Sequence, residues 1–240
     1  MPSRGGRPHH QSGMGDTHGA FLNDDDALVT EFRQFVRRPS FPCVGAKAAL
    51  TKGQLEFAVA HDLRAASADM QIYSALCNFA KRSQVGKTLF RSFVVLFRCP
   101  LTLNERAFEH HMWARLQALT DLDTQHGQPR DEHVSADPAN PHFSLSFGGE
   151  AFFAVGLHPG ASRAARRFSH PAIVFNPHYQ FEELRRQGLY EKMRKRIVEK
   201  EVAVSGSVNP MLREFGEASE APQYSGRLVE EGWTCPFHRK

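Results

Sequence analysis

In the run from Phe152 to His158, every second residue of an extended strand shares a face, so Phe152, Ala154, Gly156 and His158 line up. An imidazole then stands beyond two residues with almost no side chain. Such a face leaves room for a flat macrocycle. Histidine is a common proximal ligand of haem iron, and Phe152 would pack against the porphyrin. The same spacing equally suits a strand-end histidine bonded to a loop carbonyl ahead of Pro159. Arg163, Arg166 and Arg167 follow directly, either as partners for propionates or a substrate carboxylate or as solvated loop arginines. His178 alternates with Val174 and Asn176 after a second strand. It is the other candidate ligand, or simply the neighbour of a helix start.

Other chemistries find little support. Gly86-Lys87-Thr88 resembles the end of a phosphate-binding loop, but Lys81 stands where that loop needs glycine. No H-E-x-x-H or E-x-x-H run occurs, and no G-x-S-x-G elbow. The four cysteines, Cys43, Cys77, Cys99 and Cys235, form no C-x-x-C pair, which points to a reduced, cytoplasmic compartment. A net charge of +4 is too small to require nucleic acid, and the Arg185 to Lys200 run is interleaved with glutamates as on a solvated helix face. Apolar runs are strand-sized, so no membrane partner is expected.

The elements that must position these residues follow from periodicity. Of 240 residues, 41% are hydrophobic and 23% charged, the balance of a globular domain. Residues 1–22 are Gly-, His- and Ser-rich and read as a disordered tail, with a single domain over 23–240. Helical spacing covers Leu28 to Val36, Ser67 to Phe79, Asn104 to Leu119 and Phe181 to about Val202. Strand patterns cover Leu55 to Val59, Leu89 to Phe97, Phe143 to Phe147, Ala151 to Leu157 and Ala172 to Phe175, with the third and fourth joined as a hairpin through Gly148-Gly149-Glu150. The expected class is mixed α+β, one mixed sheet flanked by helices.

Several separate runs then matter together. They are Phe41-Pro42-Cys43-Val44-Gly45-Ala46-Lys47, Phe143 to Pro159, Phe175-Asn176-Pro177-His178 with Gln180-Phe181-Glu182, Gly206 to Leu212, Gln223-Tyr224-Ser225-Gly226-Arg227 and Trp233-Thr234-Cys235-Pro236-Phe237. In that order they resemble the YqcI/YcgG family, which includes haem-dependent N-hydroxylases of guanidine-bearing amino acids, pre-guanitoxin and arginine hydroxylases among them. The resemblance implies an O₂-dependent oxidoreductase with b-type haem, a guanidino substrate such as arginine, and an external electron donor. A guanidinium fork calls for a carboxylate, and Glu150, Glu217 and Glu220 are the candidates. His158 is the expected metal ligand; His178, Phe152, Arg163 and Arg167 are expected around the cofactor, and the thiols of Cys43 and Cys235 rank after His158. The alternative is a haem-binding or redox-sensing protein without turnover.

Overall fold

The structure, a computed structural model, describes residues 26–212 and 216–238; the expected tail lies outside them. Strands β1 (Leu55–Asp62) and β2 (Ser92–Cys99) pair in parallel and are joined through helix α3 (Asp69–Val85), because parallel neighbours need a crossover. Strands β3 (Leu145–Phe147), β4 (Glu150–Leu157) and β5 (Ala172–Pro177) complete a mixed sheet of order β1-β2-β5-β4-β3. Phe147 pairs with Glu150, so Gly148 and Gly149 form a two-residue turn with φ of 58° and 80°. Only glycine adopts two such angles in succession without cost to a Cβ.

Alternation along the strands divides the core. Phe93, Val95 and Phe97 of β2, Phe152 and Ala154 of β4, and Ile173 and Phe175 of β5 pack on one face. That face is covered by α3 and by α4 (Glu105–Gln125), which presents Phe108, Met112, Leu116 and Leu119 at the expected spacing. Asn104 opens α4 by accepting from Ala107 N–H at 2.8 Å. Each fully buried side chain of this size contributes roughly 1.5–3 kcal/mol. On the opposite face, Phe57, Val94, Leu96 and Leu157 meet α1 (Ala27–Arg37), whose Phe32 and Phe35 enclose Phe168.

Two departures from the sequence expectation shape that second face. A short helix α2 (Val44–Thr51) follows Pro42, where no helical pattern was legible. The single helix expected over residues 181–202 is instead two, α5 (Tyr179–Arg186) and α6 (Tyr190–Ser205), broken at Gly188 with φ of 65°. Gly206, at φ 75°, terminates α6 in the left-handed cap that favours glycine.

Candidate functional site

His158 is buried in the α4-covered face, but the space expected beside it is filled. A Cβ on Gly156 would lie 2.6 Å from Phe108 Cε1 and 2.7 Å from Met112 Sδ, so the missing side chain admits α4 rather than a macrocycle. Phe152 is fully buried and contacts Phe79, Phe147 and Phe175. The His158 ring stacks on Phe108 at 4.3 Å, and its buried Nδ1 has no hydrogen-bond partner among the described residues. Burial lowers its pKa to about 4. On this face α4 fills the space beside Gly156 that the sequence reading left open for a macrocycle.

The opposite face holds a cavity of about 320 Å³. Its floor is the sheet, through Val94, Phe153, Val155, Val174 and Asn176; its walls are α2, α5 and α6. The inward stripe of α6, Tyr190, Met193, Arg194, Ile197, Val198 and Glu201, repeats at helical spacing, yet only Glu201 is buried. The stripe faces open volume rather than a packed core. Such a size lies at the lower end of the roughly 300–1,000 Å³ typical of small-molecule sites.

Two groups of lining residues have shifted pKa values. Cys43 caps the N-terminus of α2, its Sγ accepting from Ala46 N–H at 3.4 Å. Burial raises the thiol pKa, while the Ala46 and Gly45 amides and the charge of Arg166 act in the opposite direction. Arg166 is itself lowered to about 10 by burial, opposed by the charges of Glu201 and Cys43. Its guanidinium donates to the carbonyls of Gly156 (3.0 Å), Tyr224 (3.2 Å) and Gln223 (3.1 Å), which pins the C-terminal segment to β4. The second group gathers His178, Glu220 and Arg185. Burial pushes the Glu220 carboxyl up to about 7 against the pull of Arg185, and lowers His178 to about 4. Glu220 is thus a carboxyl facing an apolar chamber, the kind of group whose tuned pKa marks functional sites.

The remaining expected residues stand elsewhere. Glu150 is buried at the hairpin, its carboxyl raised to about 7 by burial and by Asp131, but it does not line the cavity. Glu217 is exposed. Cys235 packs beside the α4-side core and its thiol is pushed up to about 12 by burial. Arg163 binds Glu201 Oε1 at 2.6 Å and the Ser207 carbonyl at 2.6 Å, and Arg167 donates to the carbonyls of Ala161 and Ser162, both at 2.8 Å. These arginines fasten loops. Helical spacing across α6 was legible in the sequence, but not that its stripe would line a cavity.

Fold and site together define a mixed α+β protein with an apolar, small-molecule-sized chamber between its sheet and a helical cover. The chain belongs to the YqcI/YcgG family, whose profile matches residues 32–238. Neither a search of curated proteins nor one of solved structures returns a match.

Proposed function

We propose that the chain is a haem-dependent oxygenase that N-hydroxylates a guanidino compound such as arginine, with the α2–α6 cavity as its chamber. The observation that carries this reading is that a thiol at a helix N-terminus and a carboxyl of raised pKa line one apolar cavity. The donor set fits the group. Cys43 would offer a soft thiolate ligand and His178 a neutral imidazole, and Val94, Val155 and Val174 would supply an apolar floor. Bound haem would supply the activation of oxygen.

The chain's own residues have separable tasks. A coordinated thiol is deprotonated, and the Ala46 amide and Arg166 stabilise the resulting sulfur charge. Cys43 is accordingly preferred to His158 as ligand. Glu220, once ionised, accepts two parallel bonds from a guanidinium, whose charge compensates the carboxylate's desolvation. His178 is neutral at pH 7, with burial the cause, so it accepts or relays a proton without adding charge. Phe153 and the valine floor keep water from the reacting nitrogen. The cover formed by α6 is the wall expected to adjust to an occupant, because its stripe is packed against the least protein.

The test is spectroscopic. Full-length protein produced with ample haem should show a Soret band and a thiolate-type CO adduct, with oxygen uptake that rises on adding arginine. Cys43→Ser should lose the thiolate signature, whereas His158→Ala should retain it. Failure to take up haem on reconstitution refutes the proposal. A Soret band without substrate-stimulated oxygen uptake favours binding or sensing instead.

A further inference from the structure

A second, smaller cavity of about 220 Å³ lies beside the main one, and Phe41 and Ala165 line both. Its apolar walls are Phe35, Phe41, Ala164, Ala165 and Val204, brought together from the end of α1, a single 3₁₀ turn (Ala164–Arg166) and the end of α6. Its polar residues are Arg38, Ser40 and Arg167. All three are exposed and so stand at the rim, whereas Phe35 is buried.

Both arginines are held in place by groups that leave their charge uncompensated. Arg38 caps α1, its N–H donating to the Phe35 carbonyl at 3.3 Å, and the turn it opens is fastened by Lys47 Nζ, which donates to the carbonyls of Arg38 (2.7 Å) and Pro39 (3.3 Å). The Arg38 guanidinium stands over the Phe35 ring at 5.4 Å, so it is oriented by a face and not by an acid. Arg167 donates through Nε and Nη2 to the Ala161 and Ser162 carbonyls, both at 2.8 Å. Those two donors form one edge of the guanidinium. The end made by Nη1 and the second hydrogen of Nη2 meets no acceptor among the described residues. No Asp or Glu is among the described residues that line the cavity, and Glu201, three residues before Val204 on α6, is held by Arg163 at 2.6 Å.

We propose that this cavity binds a small organic carboxylate, its phenyl ring or branched alkyl end lying against Phe35 and Phe41 and its carboxylate meeting Arg38 and Arg167. The proposal does not rest on the haem reading above. A carboxylate is planar and accepts two parallel bonds from the open end of Arg167, a match that a single ammonium could not give. The volume falls below the roughly 300 Å³ at which drug-sized sites begin, which suits one ring or short chain with its acid group. α1 ends at this cavity, so the unpaired carbonyls of its last turn place partial negative charge beside the site and weigh against a dianion. Inorganic phosphate would also leave the apolar walls uncovered.

The probe is benzoate, titrated into the full-length chain at low ionic strength and followed by saturation-transfer NMR. Arg38→Gln should weaken binding about fivefold, the loss expected of one exposed ion pair, and Val204→Glu, which sets a like charge in the wall, should weaken it further. Neither residue lines the main cavity, and Lys47 bonds only the backbone of Arg38, so both variants should melt with the parent. Benzyl alcohol, similar in size but neutral, should bind at least about fivefold more weakly than benzoate. An equal concentration of inorganic phosphate should leave the benzoate signal unchanged. The proposal is overturned if the parent gives no saturable benzoate signal, or if neither variant alters the affinity, which would put the ligand elsewhere. Benzyl alcohol binding as tightly as benzoate, or phosphate displacing it, overturns the assignment to carboxylates.

Discussion

On one side of the sheet, Gly156 lies so close to α4 that no further carbon fits, while on the other Val155 and Val174 look into a cavity of about 320 Å³. The two faces alternate along the same strands and are similarly apolar. What differs is the covering helix. α4 sends Phe108 and Met112 into the space that the small residues leave, whereas α6 stands off from the sheet and is held by the Arg163–Glu201 pair near its end. Minimal side chains therefore mark close approach of another element here, and the volume lies under larger residues whose cover does not descend to meet them.

The sharpest way to break this comparison is Gly156→Val. It drives carbons into Phe108 and Met112, and overpacking of this kind costs about 3 kcal/mol, a fall in Tm of roughly 6–12 °C for a chain of this size. Differential scanning calorimetry reads it, and a Tm within a degree of the parent's would mean that the face is looser than described.

The histidines give the next effect through pH. Burial holds His158 near pKa 4, below the ordinary value of 6.5, so the unfolded chain binds its proton first as pH falls. The fold loses up to about 3 kcal/mol between pH 6.5 and 4 on this account. Glu150 and Glu220, raised to about 7, act with the opposite sign and make stability decline as pH rises from about 4.5 to about 7. Comparing His158→Gln with the parent cancels the carboxyls, and the parent should lose its relative advantage toward pH 4. A pH-independent difference between the two denaturation midpoints would contradict a buried neutral imidazole.

The smallest effect belongs to the cavity floor. Val174→Ala enlarges an existing space rather than opening a sealed one, so the expected cost is under about 1 kcal/mol by urea denaturation. A loss as large as that of Gly156→Val would erase the distinction between the faces.

Much of the fold was legible in the sequence because its signals are local. The Gly148-Gly149 turn, the Asn104 cap and the alternation of β2, β4 and β5 each follow from residues a few positions apart. α2 was not, since a helix of small residues has no strong apolar face to announce it. The break at Gly188 was hidden because charged residues run across it without changing composition. The site was harder still. Alternation correctly put His158 with Ala154 and Gly156, but whether that face is full depends on α4, far away in sequence. Cys43 stood in a recognised run, yet its position in the cavity depends on α6 folding back across α2.

The stand-off of α6 also bears on how the chain would fare inside a cell. A helix bounded by Gly188 and Gly206, with its apolar stripe turned to unfilled volume, gains most of its burial only when something occupies the chamber. Occupancy then adds its binding free energy to the fold. Without such an occupant α6 would be open to proteases ahead of the sheet, so that the supply of whatever binds there, rather than synthesis rate, would set how much of the protein accumulates.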